Sequence, residues 1–258
     1  MKIFFLLLLL ISSLHAQEKR LELGLGIGAL RYPSYIGSKS YHSFIAPLPY
    51  IRYRGKRFRL DENGLNGKLL GVEGLRIDLS VSGALPAESE SDDARAGMPD
   101  LDLTGEVGFQ LIYRLYHEKE HTLEIEFPIR SVLSTNFNNL KYRGIVSNPQ
   151  LKYMYKDTHF KMTLRVGAIF GDADYFNYYY GVSEEYVTPT RGFYDAKSGF
   201  GGIRSRIGMR YKVGSWWFGG FCSYFDIQDA TFSDTPLVET KHAIYSGISA
   251  AYIFYTSE

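Results

Sequence analysis

The sequence predicts an all-β protein: a transmembrane antiparallel up-and-down β-barrel of about 12 strands, with 10 as the fallback, after a cleaved signal peptide. Three observations carry this. The chain opens on an apolar leader, the remainder alternates apolar and polar residues with period 2, and the connections alternate between short and long. Successive side chains of a strand point to opposite faces, so period 2 means one apolar face and one polar face.

Composition excludes other classes. Aromatics are 16% of 258 residues, with 21 Tyr and 17 Phe, and the net charge is +1. Disordered chains combine few aromatics with high net charge. A single cysteine, Cys222, cannot form a disulfide within the chain and reads as a small apolar residue. No basic cluster marks a nucleic-acid surface.

Residues 1–16 read as the signal peptide. Lys2 is followed by nine apolar residues, Ile3 to Ile11, and a small residue stands at Ala16, the expected cleavage point. Nine residues are too few to cross a bilayer as a helix, which takes about 20. The barrel domain is then 17–258, with 28 basic and 28 acidic residues once Lys2 is removed.

Strands are expected near 22–30, 44–54, 57–62, 64–70, 74–83, 101–115, 121–133, 144–156, 159–170, 199–213, 216–228 and 241–254. In 22–30 large apolar residues alternate with Gly24, Gly26 and Gly28. In the others they alternate with polar groups, including full charges at strand centres: Arg76, Asp78, Glu124, Glu126, Arg165, Arg206 and Arg210. These are the expected lumen charges. A soluble sandwich would also alternate, but its strands usually run about five or six residues. Membrane strands need about 9 to 11, apolar outward, and must close so that no backbone group is left unpaired in lipid.

With a periplasmic N-terminus, short turns fall at Gly55-Lys56, 71–73, 116–120, Asp157-Thr158 and Gly214-Ser215. Long external loops fall at 31–43, 84–100, 134–143, 171–198 and 229–240, with a short one at Asn63. This is the asymmetry of bacterial barrels. Reading 57–70 as one strand would reverse every later connection, hence two strands there. At the C-terminus Ile248, Ala250, Tyr252 and Phe254 share a face, as in the terminal strand of such barrels. The tail Tyr255-Thr256-Ser257-Glu258 is a departure, since the Phe usually comes last; it weakens recognition or projects into the periplasm. Trp216-Trp217 and tyrosines 53, 113, 155 and 211 lie at strand ends, where interfacial aromatics gather.

Motifs with chemical meaning are weak. His117-Glu118-Lys119-Glu120-His121 matches H-E-x-x-H, but the zinc spacing needs a helix, and these residues fall in a turn. The glycines at 24, 26 and 28 lie inside a strand, not between strand and helix as a dinucleotide loop requires, and read as close packing or strand bending. His42 and His242 flank external loops and could meet at the rim, yet nothing in the spacing favours a catalytic set over solvated residues. The segment Ala87 to Asp93 reads as a solvated acidic loop. No catalytic, metal or cofactor site is expected.

The segment Asp174-Tyr175-Phe176-Asn177-Tyr178-Tyr179-Tyr180-Gly181-Val182-Ser183 resembles the D-Y-x-x-x-Y-F-G-V-[ST] of the MipA/OmpV family of outer-membrane proteins. Tyr194-Asp195-Ala196-Lys197-Ser198-Gly199 resembles its Y-D-A-x-x-G, and Pro33-Ser34-Tyr35-Ile36-Gly37-Ser38 its P-x-Y-x-G-S. Pro47 to Tyr50 with Arg52 to Phe58, and Asp234-Thr235-Pro236-Leu237-Val238, are similar to its next strand pair and its last loop. Tyr180 stands where Phe is usual. The resemblance picks out Pro33, Tyr35, Gly37, Ser38, Tyr175, Tyr179, Gly181, Val182, Tyr194, Asp195 and Gly199 as structural or binding positions. It implies a barrel in the outer membrane of a Gram-negative bacterium, in contact with outer-membrane lipid and lipopolysaccharide. By the same resemblance it implies a non-catalytic scaffold for a membrane-bound lytic transglycosylase and a bifunctional penicillin-binding protein. A porin-like channel and an adhesin are the alternatives. The aromatic density of 171–198 leads us to expect that this loop folds into the lumen.

Overall fold

A computed structural model describes residues 20–55, 58–61 and 64–257. The expected signal peptide, Lys56, Asn63 and Glu258 lie outside these. The strands are β1 (Arg20–Pro33), β2 (Tyr41–Arg54), β3 (Phe58–Asp61), β4 (Gly64–Val72), β5 (Leu75–Ala84), β6 (Leu103–Glu118), β7 (His121–Thr135), β8 (Leu140–Ser147), β9 (Gln150–Lys156), β10 (Phe160–Gly171), β11 (Gly199–Val213), β12 (Trp216–Asp226) and β13 (His242–Thr256). One helix, α1 (Ala173–Tyr180), lies between β10 and β11.

All the strands belong to one antiparallel sheet, and it closes: β1 pairs with both β2 and β13, and β10 with β11. Both β8 and β9 sit between β7 and β10, so the thirteen strands fill twelve positions around the wall. Closure pairs the backbone around most of the ring, as lipid demands; among the described residues β2 meets β3 only at Tyr53 and Arg54.

The expected single strand at 144–156 is broken at Asn148-Pro149. Proline has no N–H to give to the ladder. The Asn148 side chain fills in, its Nδ2 donating to Ala168 O at 2.7 Å. Upstream, β8 begins at Leu140, so the expected long loop 134–143 shrinks to the turn 136–139.

Register decides which face is inside. Along β7, Thr122, Glu124, Glu126 and Pro128 are buried, while Ile125, Phe127 and Ile129 are exposed. The pattern is inverted with respect to a water-soluble protein, and it recurs at Leu25 and Ile27, Phe109 and Leu111, Leu164 and Val166, and Ile248, which is 71% exposed. Contiguous apolar exposure on this scale marks a surface meant for another apolar phase, here the hydrocarbon of a bilayer. Phe127→Arg is therefore expected to cost about 2 to 4 kcal/mol in lipid. Glu118→Arg, at a turn, should stay within about 0.5 kcal/mol. Chemical unfolding in vesicles reads both, and equal effects would contradict an outward Phe127.

Trp216 points outward against Phe218 and Tyr252, in ring contacts of 6.3 and 5.3 Å. Trp217 does not share that belt. As the next residue on the strand it turns inward, is buried and packs on Tyr50 at 5.4 Å. Neither does the tail project as far as it is described. Strand β13 runs to Thr256, and Ser257 N donates to Leu21 O at 2.8 Å. The glycines of β1 face inward against β13: a Cβ on Gly24 or Gly26 would lie 2.4 or 2.3 Å from the carbonyl oxygens of Tyr252 and Ala250.

Candidate functional site

Four connections at the long-loop end, 34–40, 85–102, 172–198 and 227–241, share one hydrophobic core. Its buried members include Tyr35, Leu101, Phe176, Tyr180, Val182, Phe232 and Leu237. Loop 85–102 leaves the wall between β5 and β6, across the twelve-strand ring from the other three. Loops from opposite sides can share a core only by meeting over the mouth. They form a cap.

Helix α1 is the cap's centre. Asp172 accepts from Tyr175 N at 2.9 Å, a helix N-cap, and its other oxygen accepts from Ile145 N at 2.9 Å, which ties the helix to β8. The inner side of α1 meets the wall: the Tyr179 hydroxyl is 3.3 Å from Thr104 Oγ1, and Arg143 lies 4.3 Å over the Tyr178 ring. The buried side stacks Tyr180 flat on Phe232, with centroids 3.6 Å apart, and Phe176 packs on Phe232 at 4.8 Å. Tyr180 OH donates to Ile36 O at 2.8 Å, and Thr235 Oγ1 donates to Tyr180 O at 2.8 Å. The segment 171–198 therefore packs over the mouth and does not project freely.

The motif positions gather here. Pro33 ends β1 and is buried. Tyr35 OH donates to Leu237 O at 2.6 Å, and its ring meets Tyr180 edge-on at 6.2 Å. Burial pushes the Tyr35 phenol well above its ordinary pKa, with Asp92 adding to the shift. It therefore serves as a neutral donor. Gly37 adopts φ +112°, where a side chain is strained, and its carbonyl accepts from Glu239 N and Thr240 N at 2.8 and 3.0 Å. Ser38 Oγ donates to Asp92 Oδ2. Tyr175 packs on Tyr179 at 5.4 Å. Gly181 caps α1, its N–H donating to Asn177 O at 3.0 Å. Val182 and Tyr194 exchange backbone hydrogen bonds of 2.8 and 3.0 Å. Asp195 Oδ1 accepts from Asn177 Nδ2 at 2.9 Å, and Gly199 opens β11.

Sequence reasoning missed Asp92 and Arg95. Of the acids in the expected solvated loop, Glu88, Glu90 and Asp93 are exposed, while Asp92 is 1% exposed. Arg95 is buried and donates to Tyr179 O and Pro99 O, each at 3.0 Å. Burial lowers its pKa. In the sequence, nothing distinguishes Asp92 from Asp93; its place capping the 3-10 turn Ser89–Ser91 and its partners Ser38 and Tyr35 in the cap core select it. Asp92→Ala should loosen the cap by about 1 to 3 kcal/mol, the cost of leaving buried donors unsatisfied. Hydrogen exchange at 85–102 should rise with the barrel unchanged, and Asp93→Ala should do neither.

Below the cap the lumen is charged. Arg76 bridges Asp78 at 3.1 Å and Glu124 at 2.8 Å. Lys152 bridges Glu124 at 3.0 Å and Glu126 at 2.8 Å, and Arg165 approaches Glu126 at 3.6 Å. Arg130 pairs with Glu106 at 2.8 Å, and Lys212 with Glu22 at 2.9 Å. Arg206 lies 4.3 Å over the Phe221 ring. Arg210 faces Lys161 across the β10–β11 ladder. The histidines are scattered. His117 and His121 end adjacent strands, not a helix, with partners Thr122 at 2.9 Å and Tyr153 at 2.7 Å. His42 bonds Ser34 at 2.8 Å, and His242 bonds Tyr224 at 2.8 Å.

A closed antiparallel wall with an apolar outside, a charged interior and one capped mouth defines a membrane β-barrel of the outer-membrane class. The match to known families agrees. The chain belongs to the MipA family, described as MltA-interacting protein MipA, whose model spans residues 25–254. No curated protein matches the sequence. Among solved structures, an outer membrane channel from Pseudomonas putida F1 is similar at 9% identity and TM-score 0.45, covering 94% of this chain and 98% of that one. The outer membrane channel DcaP of Acinetobacter baumannii is similar at 10% and 0.38, covering 95% and 100%. The outer membrane protease OmpT of Escherichia coli is similar at 11% and 0.30, covering 94% and 99%. Likeness at this level carries no argument about function.

Proposed function

We propose that this protein is a non-catalytic scaffold of the bacterial outer membrane. It would hold a membrane-bound lytic transglycosylase, with a bifunctional penicillin-binding protein as second partner, beside the cell wall. The family description, MltA-interacting, supports the first partner. The observation that carries the reading is the cap. Four loops with a common core cover one mouth, and ion pairs line one side of the wall beneath them. Free diffusion of solutes is poorly served by such an interior, which leaves the ends of the barrel to act. The motif positions Tyr35, Gly37, Ser38, Tyr175, Tyr179, Gly181, Val182 and Tyr194 then serve by building the cap. The end with the turns 73–74, 119–120, 157–159 and 214–215 offers little area, and a stable interface takes about 800 Å² per partner. Partners must therefore bring surfaces that reach the lipid-facing rim.

The test is capture of a purified lytic transglycosylase by the full barrel in detergent, with an unrelated barrel as control. Saturable binding to this barrel alone is expected. Equal capture by both, or by neither, overturns the scaffold and favours the channel or adhesin readings.

A further inference from the structure

The cationic and apolar groups of the lumen are not mixed. β9 carries two basic inward side chains, β10 two and β11 four, with no acid among them. The neighbouring inward rows of β12, β13, β1 and β2 are small or apolar through the middle of the wall. The two walls meet around a cavity of about 340 Å³. Lys161, Arg165, Arg206 and Arg210 line one side of it, and Phe44, Leu48, Trp217 and Phe221 the other. Phe44 is 41% and Leu48 42% exposed although register turns both inward, so their exposed area faces this cavity and not lipid. The Trp217 indole N–H is buried with no hydrogen-bond partner among the described residues.

This arrangement has a complementary ligand. Guanidinium groups recognise carboxylate and sulfonate oxygens through pairs of N–H donors. Arg206 lies 4.3 Å over the Phe221 ring, which holds its guanidinium at the edge of the cavity beside the apolar wall. An apolar body beside the anionic head would cover Phe44 and Leu48. The volume is at the small end of ligand pockets, about 300 to 1,000 Å³. We propose that the lumen is a binding site for a small amphiphilic anion, a carboxylate or sulfonate on an aromatic or short alkyl body. This goes beyond the scaffold reading and does not depend on it.

The experiment uses the refolded barrel with Trp216→Phe, which leaves Trp217 as the single tryptophan. 4-Nitrobenzoate is titrated as a quencher, and neutral 4-nitrobenzamide measures quenching without the charge. Saturable quenching by the anion is expected, with at least tenfold weaker binding of the amide. Two variants remove the site differently. Arg165→Gln with Arg206→Gln removes charge. Gly208→Leu fills the cavity, since a Cβ at Gly208 meets no atom within 4 Å. Heat-modifiable gel migration shows which variants fold. Each folded variant should lose at least tenfold in affinity. Equal quenching by acid and amide, no saturation, or unchanged binding in a folded variant would overturn the proposal.

Discussion

Glu124→Ala should destabilise the barrel by about 3 kcal/mol or more, from the general cost of breaking a buried ion pair, about 3 to 5 kcal/mol. Glu124 is buried on β7 and accepts from Arg76 Nη1 at 2.8 Å, Arg76 Nη2 at 3.4 Å and Lys152 Nζ at 3.0 Å. Its loss takes one of two acidic partners from each of two cations in a confined interior. The cost sits at the lower end because Arg76 keeps Asp78 and Lys152 keeps Glu126. Breaking the pair differs from replacing it. Replacing the whole cluster, with methionine at 76, 78, 124 and 152 and Glu126→Gln, should recover much of the loss, since desolvated charges are exchanged for packing of similar volume. Urea unfolding in lipid vesicles reads both. A Glu124→Ala cost below about 1 kcal/mol, in the range of exposed pairs, would mean that the network is solvated.

Excision of 173–197 with a short glycine linker is the second large effect. It removes α1 and with it the aromatic stack of Phe176 and Tyr180 on Phe232. The remaining loops lose their common partner, so Tyr35, Phe232 and Leu237 become exposed to water. In a planar bilayer the intact barrel should show no sustained current, and the excised barrel should conduct. Steady current from the intact protein would show that the cap does not close the mouth. Phe232→Ala tests the same core more gently. It should cost about 3 to 5 kcal/mol locally, as for other buried aromatics. Protease should then cut 227–241 while leaving the wall intact.

Most of the wall was legible because lipid and lumen impose a rule that repeats every second residue. Glu124 and Ile125 need no distant information to be assigned opposite faces. The same rule separates Trp216 from Trp217, whose joint placement in an interfacial belt overlooked it. The break at Asn148-Pro149 was also local, signalled by a proline within an otherwise unbroken run. The turn at 214–215 followed from where alternation stops, and the turn expected at 116–120 is narrower, at 119–120.

The cap was less legible. Its motif residues were recognised by resemblance, but their contacts obey no period. Asp92 and Asp93 are chemically identical neighbours, and only the arrival of Ser38 and Tyr35 from another loop makes one of them a buried acceptor. The acidic reading of that loop failed for this reason. Sequence by itself determined the fold class and nearly every strand, since both follow from side-chain alternation against two fixed surroundings. Tertiary structure alone decided which charges pair, that the basic and apolar rows enclose a cavity, and that four loops close the mouth. Those are contacts such as Tyr35 with Leu237, 202 residues apart, and they exist only because closure of the sheet brings β1 beside β13.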